Sequence, residues 1–162
     1  MRIFGATMVL LAFACAANAD ERVDLPGTMA RVEALLKGQG IDVAGYAQTP
    51  PPTLEFVSAA HPYLQGNDGG YAGGHVYVSE ARIEACTDLI LIHELVHDAT
   101  VKHRLFASVP LKHLKAAIEA LADSVTAAAA ETPYRPGCLP HRQFAWEPPE
   151  LAKLALSPDI LF

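Results

Sequence analysis

The sequence lacks the features that mark several special classes of protein. Beyond its first 19 residues it has no apolar run long enough to cross a bilayer, no cluster of Lys and Arg, and no internal repeat. A membrane-spanning helix needs about 20 consecutive apolar residues, and a nucleic-acid-binding surface needs a basic patch. The mature chain is therefore expected to bind neither nucleic acid nor a membrane.

Cysteine is also scarce. The chain has three cysteines in 162 residues, and no two of them form a C-x-x-C pair. Metal-binding cysteines usually come in such close pairs, so their spacing argues against a thiolate metal site. Cys15 lies in the N-terminal apolar run, which leaves Cys86 and Cys138 to form one disulfide in an exported protein.

The first 19 residues have the pattern of a secretory signal peptide. Arg2 precedes an apolar core, and residues 17–19 read Ala-Asn-Ala, an A-x-A cleavage site. The core is short for a membrane anchor. The lipoprotein alternative would use Cys15, but Ala12 stands where lipoproteins usually have Leu. We therefore expect cleavage before Asp20 and an exported protein, either periplasmic or secreted.

Removal of residues 1–19 leaves residues 20–162, which are 143 residues with 11 Lys and Arg, 18 Asp and Glu, and a net charge of −7. That length is ordinary for one domain with one hydrophobic core. The expectation is a single acidic domain.

Apolar periodicity predicts four helices and two strands. The second helix is apolar nearly all round, which indicates that it is buried. The glycine-rich stretch 66–74 is expected to be a loop. Its glycines do not follow a strand and open a helix, so a dinucleotide site is not indicated. The predicted helices are Thr28–Lys37 with Thr28 as its cap, Thr87 to about Lys102, Pro110–Ala130 and Glu150–Leu156, and the predicted strands are Thr53–Ser58 and His75–Ser79.

The most informative motif is His93-Glu94-Leu95-Val96-His97, an H-E-x-x-H sequence inside the second predicted helix. Residues i and i+4 lie on the same face of a helix, so His93 and His97 can bind one zinc ion. Glu94 then lies beside the water that the zinc binds. Buried His and Glu are costly unless they are paired or bound to metal, and one zinc site satisfies all three. The motif predicts a zinc hydrolase with Glu94 as its catalytic base.

Two residues compete to be the third protein ligand that a catalytic zinc usually has. His103 has the spacing of the metzincin pattern. That pattern breaks the helix with Gly where this chain has Thr100, and no Met follows Met29 to supply the metzincin Met-turn. Glu119 lies on the next predicted helix, and a short connection predicts that the two helices are antiparallel. At about 1.5 Å per residue, His97 and Glu119 then lie at similar distances from that connection, which favours Glu119 as the third ligand.

Asp123 lies one helical turn beyond Glu119, as His93 lies one turn before His97. The same counting puts Asp123 opposite His93, where its carboxylate can accept the Nδ1–H of the imidazole and orient the ring. The alternative for Glu119 and Asp123 is a solvated polar stripe. The need of the metal for a further ligand favours Glu119 as that ligand and Asp123 as the residue that orients His93.

The succession His93-Glu94-Leu95-Val96-His97 and Glu119-Ala120-Leu121-Ala122-Asp123 resembles the H-E-x-x-H and E-x-x-x-D pattern of the gluzincin-type zinc metallopeptidases. The resemblance covers about residues 75–123. It implies an α+β, zincin-like fold, in which a small twisted sheet packs on the H-E-x-x-H helix and a second, antiparallel helix carries the third ligand. It also implies that the strand nearest the cleft, for which His75–Ser79 is the candidate, pairs with an extended peptide substrate.

The chain departs from the large members of that family. It is short, and little sequence follows Asp123 that could build their second lobe. Their transition-state donors have no evident counterpart. Tyr134, His141 and Arg142 lie in the corresponding part of the chain and are candidates by position alone.

The helix arrangement also supports the disulfide. In an antiparallel hairpin, the end of the second helix returns near the start of the first. Cys138 follows the former and Cys86 precedes the latter, so a bond between them would clamp the two ligand-bearing helices together.

Two functions are compatible with these residues. In the first, zinc on His93, His97 and Glu119 lowers the pKa of its bound water, and Glu94 takes the proton. The resulting hydroxide then attacks a peptide carbonyl of a peptide or protein substrate. In the second, the protein is a non-catalytic exported module that keeps a zinc-binding zincin scaffold for binding or inhibition. The intact Glu94 favours an exported zinc metallopeptidase.

Overall fold

The computed structural model describes residues 23–131, residue 138 and residues 148–156. The predicted signal peptide and the candidate donors Tyr134, His141 and Arg142 lie outside these ranges and stay predictions. Within the described ranges, four helices and a three-stranded sheet form an α+β architecture, and none of these helices is long and apolar enough to span a membrane. The elements are α1 (Leu25–Gly38), β1 (Thr53–Val57), β2 (Gly69–Ala72), β3 (His75–Ser79), α2 (Thr87–Lys102), α3 (Leu111–Ala130) and α4 (Pro148–Leu156).

Strand β3 lies in the centre of the sheet, whose order is β1-β3-β2. β1 runs parallel to β3 with Thr53 opposite His75, and β2 runs antiparallel to β3 with Ala72 opposite His75. Side chains alternate between the two faces of a strand. Val76 and Val78 of β3 are accordingly buried in the core that also contains α2, while the ring of Tyr77 stacks on that of His75. Both predicted strands are therefore confirmed, as β1 and β3.

The prediction of a loop at residues 66–74 is wrong for Gly69–Ala72, which form β2. The connection from β2 to β3 is the pair Gly73 and Gly74, with φ of 57° and 84°. A two-residue hairpin turn of type I′ needs positive φ at both positions, and glycine adopts such values freely. Gly70 lets β2 pass close to the preceding segment, because a Cβ there would lie 2.5 Å from the carbonyl oxygen of Tyr63. Pairing with β3 thus overrides the low β propensity of glycine.

Helix α1 begins earlier than predicted. Asp24 caps it instead of Thr28, because the Asp24 side chain accepts a hydrogen bond of 2.9 Å from the backbone N–H of Gly27. Pro26 occupies the first turn, where a missing N–H costs no intrahelical bond. The Thr28 hydroxyl donates to the Asp24 carbonyl at 2.7 Å.

Helix α2 runs through the middle of the hydrophobic core. Its Leu89, Ile92, Leu95 and Val96 are almost completely buried, as its apolar composition predicts. Apolar side chains of α1, β3 and α3 complete the same core. Because these contacts fix the rotation of α2 about its axis, they also fix the direction in which its polar residues point.

Cys86 and Cys138 form the predicted disulfide. Cys86 directly precedes α2, and Cys138 follows α3 in the chain. The bond therefore closes the open end of the α2–α3 pair, away from the connection between them. Disulfides persist in oxidising compartments, so the bond is compatible with an exported location.

Removal of this disulfide is expected to destabilise the fold. The double variant Cys86→Ser/Cys138→Ser should lower the free energy of unfolding by about 2–5 kcal/mol, because the bond restricts a long loop of the unfolded chain. Unfolding in guanidinium chloride measures the change. Reduction should destabilise the wild type by a similar amount and leave the double variant unaffected. Equal midpoints for the oxidised wild type and the variant would contradict this stabilising role.

Candidate metal centre

Helix α2 presents His93 and His97 on one side, one turn apart. The two rings meet edge to face with their centroids 5.0 Å apart. Their side chains are 16% and 14% exposed, so both imidazoles are mostly withdrawn from water and still reachable from the cleft. The buried Leu95 and Val96 between them hold this turn of the helix in place.

Glu119 on α3 lies opposite both imidazoles. Its Oε2 is 3.6 Å from Nε2 of His93, and its Oε1 is 3.9 Å from Nε2 of His97. Asp123, one turn further along α3, lies beside His93. The order of these contacts is that of an antiparallel helix pair. Glu119 therefore lies opposite the two histidines, at the position along α3 that the residue count predicts.

The three side chains could hold a metal ion. One donor atom each from His93, His97 and Glu119 can be chosen so that all lie within 4.8 Å of one another. Donors of a tetrahedral zinc site, each about 2.1 Å from the metal, are about 3.4 Å apart. The Glu119 oxygens lie 3.6 Å and 3.9 Å from the Nε2 atoms of His93 and His97, which is close to that value. Two imidazoles and one carboxylate also form a donor set found at catalytic zinc, with one position left for water.

Asp123 contacts the His93 ring on the side that faces away from Glu119. Its Oδ1 lies 3.1 Å from Nδ1 of His93, while Nε2 of the same ring points to Glu119. Asp123 is almost buried, and within the described residues neither of its carboxylate oxygens has a hydrogen bond of good geometry. Buried carboxylates need a compensating partner. The His93 ring is the group within reach, which agrees with the predicted orienting contact.

The surroundings of His93 change its pKa. Burial alone would lower it, but the contacts with Asp123 and Glu119, together with the charge of Glu94, outweigh burial and raise the pKa from 6.5 to about 9. The metal-free imidazole is then protonated at neutral pH. A metal ion held at Nε2 would have to displace a proton from this ring, so metal binding would be accompanied by proton release.

Glu94 is buried beside the two histidines, with 6% of its surface exposed. Its carboxylate lies against Gly69 of β2, where a Cβ would be 2.5 Å from Oε1 of Glu94 and 2.7 Å from Ile90. A side chain at this position would push against the carboxylate and Ile90, which favours glycine where the strand comes this close. Sequence reasoning missed the role of Gly69, because it treated the glycine-rich stretch as a loop.

A cleft of about 620 Å³ leads to these residues. Gly69, Gly70 and Tyr71 of β2 line it on one side, and α3 lines it through Ile118 and Glu119. The expectation that the His75–Ser79 strand borders the cleft is wrong. That strand pairs on both sides, and β2 is the edge strand along the cleft.

His103 does not join the donor group. It follows the last residue of α2, and its backbone N–H bonds to the carbonyl of Ala99 at 2.9 Å. Its ring packs edge-on against Tyr46. Within the described residues, His93, His97 and Glu119 form the one group of His, Cys, Asp or Glu close enough to share a metal ion.

Asp98, the neighbour of His97, is a fully buried acid that sequence reasoning did not identify. It accepts hydrogen bonds from the hydroxyls of Tyr46 at 2.9 Å and Tyr71 at 3.1 Å, and Lys102 Nζ lies 2.8 Å away. Burial and the Asp98 charge raise the pKa of Tyr71 to about 12, so its hydroxyl remains a donor. The hydrogen bond from Tyr71 connects β2 to α2. The available signal was an Asp within a helix that the sequence predicts to be buried.

Comparisons of the chain with protein-family models, with curated proteins and with solved structures find no match. The chemistry of the donor group and the shape of the cleft therefore carry the functional argument.

Proposed function

We propose that the protein is an exported, zinc-dependent metallopeptidase. The observation that carries the proposal is the convergence of His93, His97 and Glu119 within 4.8 Å, next to the buried carboxylate of Glu94 and at the base of an open cleft. A purely structural cluster would have no need of an adjoining cleft. An acid beside a site with an open coordination position is the arrangement that hydrolysis requires.

In this proposal the chain divides the chemistry among four side chains. His93, His97 and Glu119 hold the metal, which when bound lowers the pKa of a water molecule and polarises the substrate carbonyl. Glu94 accepts a proton from the attacking water and returns it to the nitrogen of the leaving amine. Water adds to the carbonyl carbon and the C–N bond breaks, so the products are one carboxylic acid and one amine.

The edge strand β2 is the proposed guide for the substrate. Extended peptides commonly bind by adding a strand to an exposed sheet edge. Within the described residues β2 pairs only with β3, which leaves its second edge on the side of the cleft. A peptide paired there would carry its backbone past Glu94, because Gly69 of the same strand touches that carboxylate.

The architecture supports a zincin-like interpretation of the fold. A small sheet whose edge strand borders the cleft, the H-E-x-x-H helix beneath it and an antiparallel helix with the third ligand are what the gluzincin resemblance implies. The E-x-x-x-D half of that pattern corresponds here to Glu119 at the metal and Asp123 behind His93.

Metal dependence is the test of the proposed function. Purified mature protein is expected to contain about one zinc per chain and to cleave a mixed peptide library. A chelator should abolish cleavage, and added zinc should restore it, because the proposed hydrolysis depends on water that the metal activates. Elemental analysis measures the zinc content, and mass spectrometry of the digest measures the cleavage. Stoichiometric zinc without turnover of any peptide would instead support the non-catalytic, zinc-binding module.

A further inference from the structure

Beside the metal group, α3 leaves an apolar surface exposed. A side cavity of about 320 Å³ lies between the ligands His97 and Glu119 and the first turns of α3. Its other walls are Leu111, Leu114 and Ile118, and Leu111 is 88% exposed. Exposed aliphatic side chains grouped beside polar functional residues are typical of binding sites.

The same cavity contains one cation, Lys115. It lies one turn before Glu119 and lines both this cavity and the main cleft. Within the described residues its side-chain ammonium group has neither an ion pair nor a hydrogen bond. Among the described residues that line either cavity, it is the sole Lys or Arg. The positive end of the α3 dipole lies at this end of the helix, so both charges favour an anion here.

We propose that Lys115 and the aliphatic wall bind the C-terminal residue of the peptide substrate, so that the enzyme removes one or two residues from carboxyl ends. This proposal rests on the proposed function. A C-terminal aliphatic residue presents an apolar side chain and a carboxylate together, which matches Leu111, Leu114 and Ile118 beside Lys115. An internal acidic side chain would give Lys115 a carboxylate but would leave the aliphatic wall uncovered.

The spacing along α3 sets the length of the product. One turn of about 5.4 Å separates Glu119 from Lys115, and an extended peptide advances about 3.5 Å per residue. A carboxylate bound at Lys115 therefore lies one or two residues from a carbonyl at the metal group.

The test compares two peptides that end in Leu-Leu and differ only in a free C-terminal carboxylate or a C-terminal amide. The zinc-loaded wild type should cleave the free acid with a kcat/KM about tenfold or more above that of the amide, because a charge-assisted contact is lost with the amide. Lys115→Met should reduce that ratio to about one, mainly through KM. Lys112→Met removes the same charge from the same helix outside the cavity and should keep the ratio. Mass spectrometry should locate the cut within the last two residues.

Two results would overturn the inference while leaving the proposed peptidase function intact. They are equal cleavage of acid and amide by the wild type, and an unchanged ratio in Lys115→Met. If the zinc-loaded enzyme hydrolyses neither these two peptides nor any peptide of the mixed library, the proposed function fails on its own. The Kd values of the same two peptides for zinc-loaded wild type and Lys115→Met then decide the inference. A preference for the acid that depends on Lys115 supports it, and equal Kd values reject it.

Discussion

The Glu94→Gln variant is expected to keep its metal and to lose peptide hydrolysis by about a hundredfold to ten-thousandfold in kcat, the usual contribution of a positioned general base. The amide side chain has nearly the size of the carboxylate, so it can occupy the same buried space against Gly69. It cannot accept a proton from the attacking water. Because Glu94 is not one of the proposed ligands, zinc content should stay close to that of the wild type.

Steady-state kinetics on a peptide cleaved by the wild type, with elemental analysis of the same preparations, measures this prediction. Glu80→Gln is a matched control, since Glu80 is exposed at the end of β3 and does not line the cleft. The control should retain full activity. A Glu94→Gln enzyme with wild-type kcat would remove Glu94 from the mechanism and leave the metal group without a base.

Metal affinity should separate Glu119 from His103. Glu119→Ala and His97→Ala are each expected to weaken zinc binding more than about a hundredfold, because a structural zinc site distributes roughly 10–16 kcal/mol over about four ligands. His103→Ala should bind zinc like the wild type, since His103 lies at the far end of α2 beside Tyr46. Competition with a chromophoric chelator gives the three affinities.

Asp123→Asn adds an intermediate case to that series. The residue contacts His93 and is not a proposed ligand, so zinc binding should weaken about tenfold to a hundredfold, the usual effect of a group that orients a metal ligand. Loss of zinc in His103→Ala together with retention in Glu119→Ala would show that the ligand set is wrong.

The sequence was sufficient for the residues whose position follows from helical geometry. His93 and His97 share a face of α2 because they are four residues apart. Glu119 could be found because the connection between α2 and α3 is short, so that positions along both helices can be counted from it. The same count gave Asp123. The disulfide followed from the presence of two cysteines in a chain expected to be exported, and it agrees with the layout because the two cysteines flank the open end of the hairpin.

Most of the misses come from contacts between segments that are distant in sequence. β2 has four residues, two of them glycines, and exists because it pairs with β3. Gly69 matters because Glu94, from a different element, approaches it. Asp98 is stabilised by two tyrosines from separate parts of the chain. Local periodicity contains none of this information. The cap of α1 is an exception, because Asp24, four residues before Thr28, caps the helix through a local contact.

The Cys86–Cys138 bond also affects when the donor group becomes fixed. His93 and His97 belong to one helix, Glu119 to the next, and the covalent link between those helices needs Cys138, which is synthesised after all three. In a reducing compartment the cysteines stay as thiols, and packing alone then holds the two helices in register. A newly made chain therefore reaches its most rigid metal-binding geometry after oxidation. If the protein is exported, oxidation outside the cytosol would delay full assembly of the site until the chain has left the cytosol.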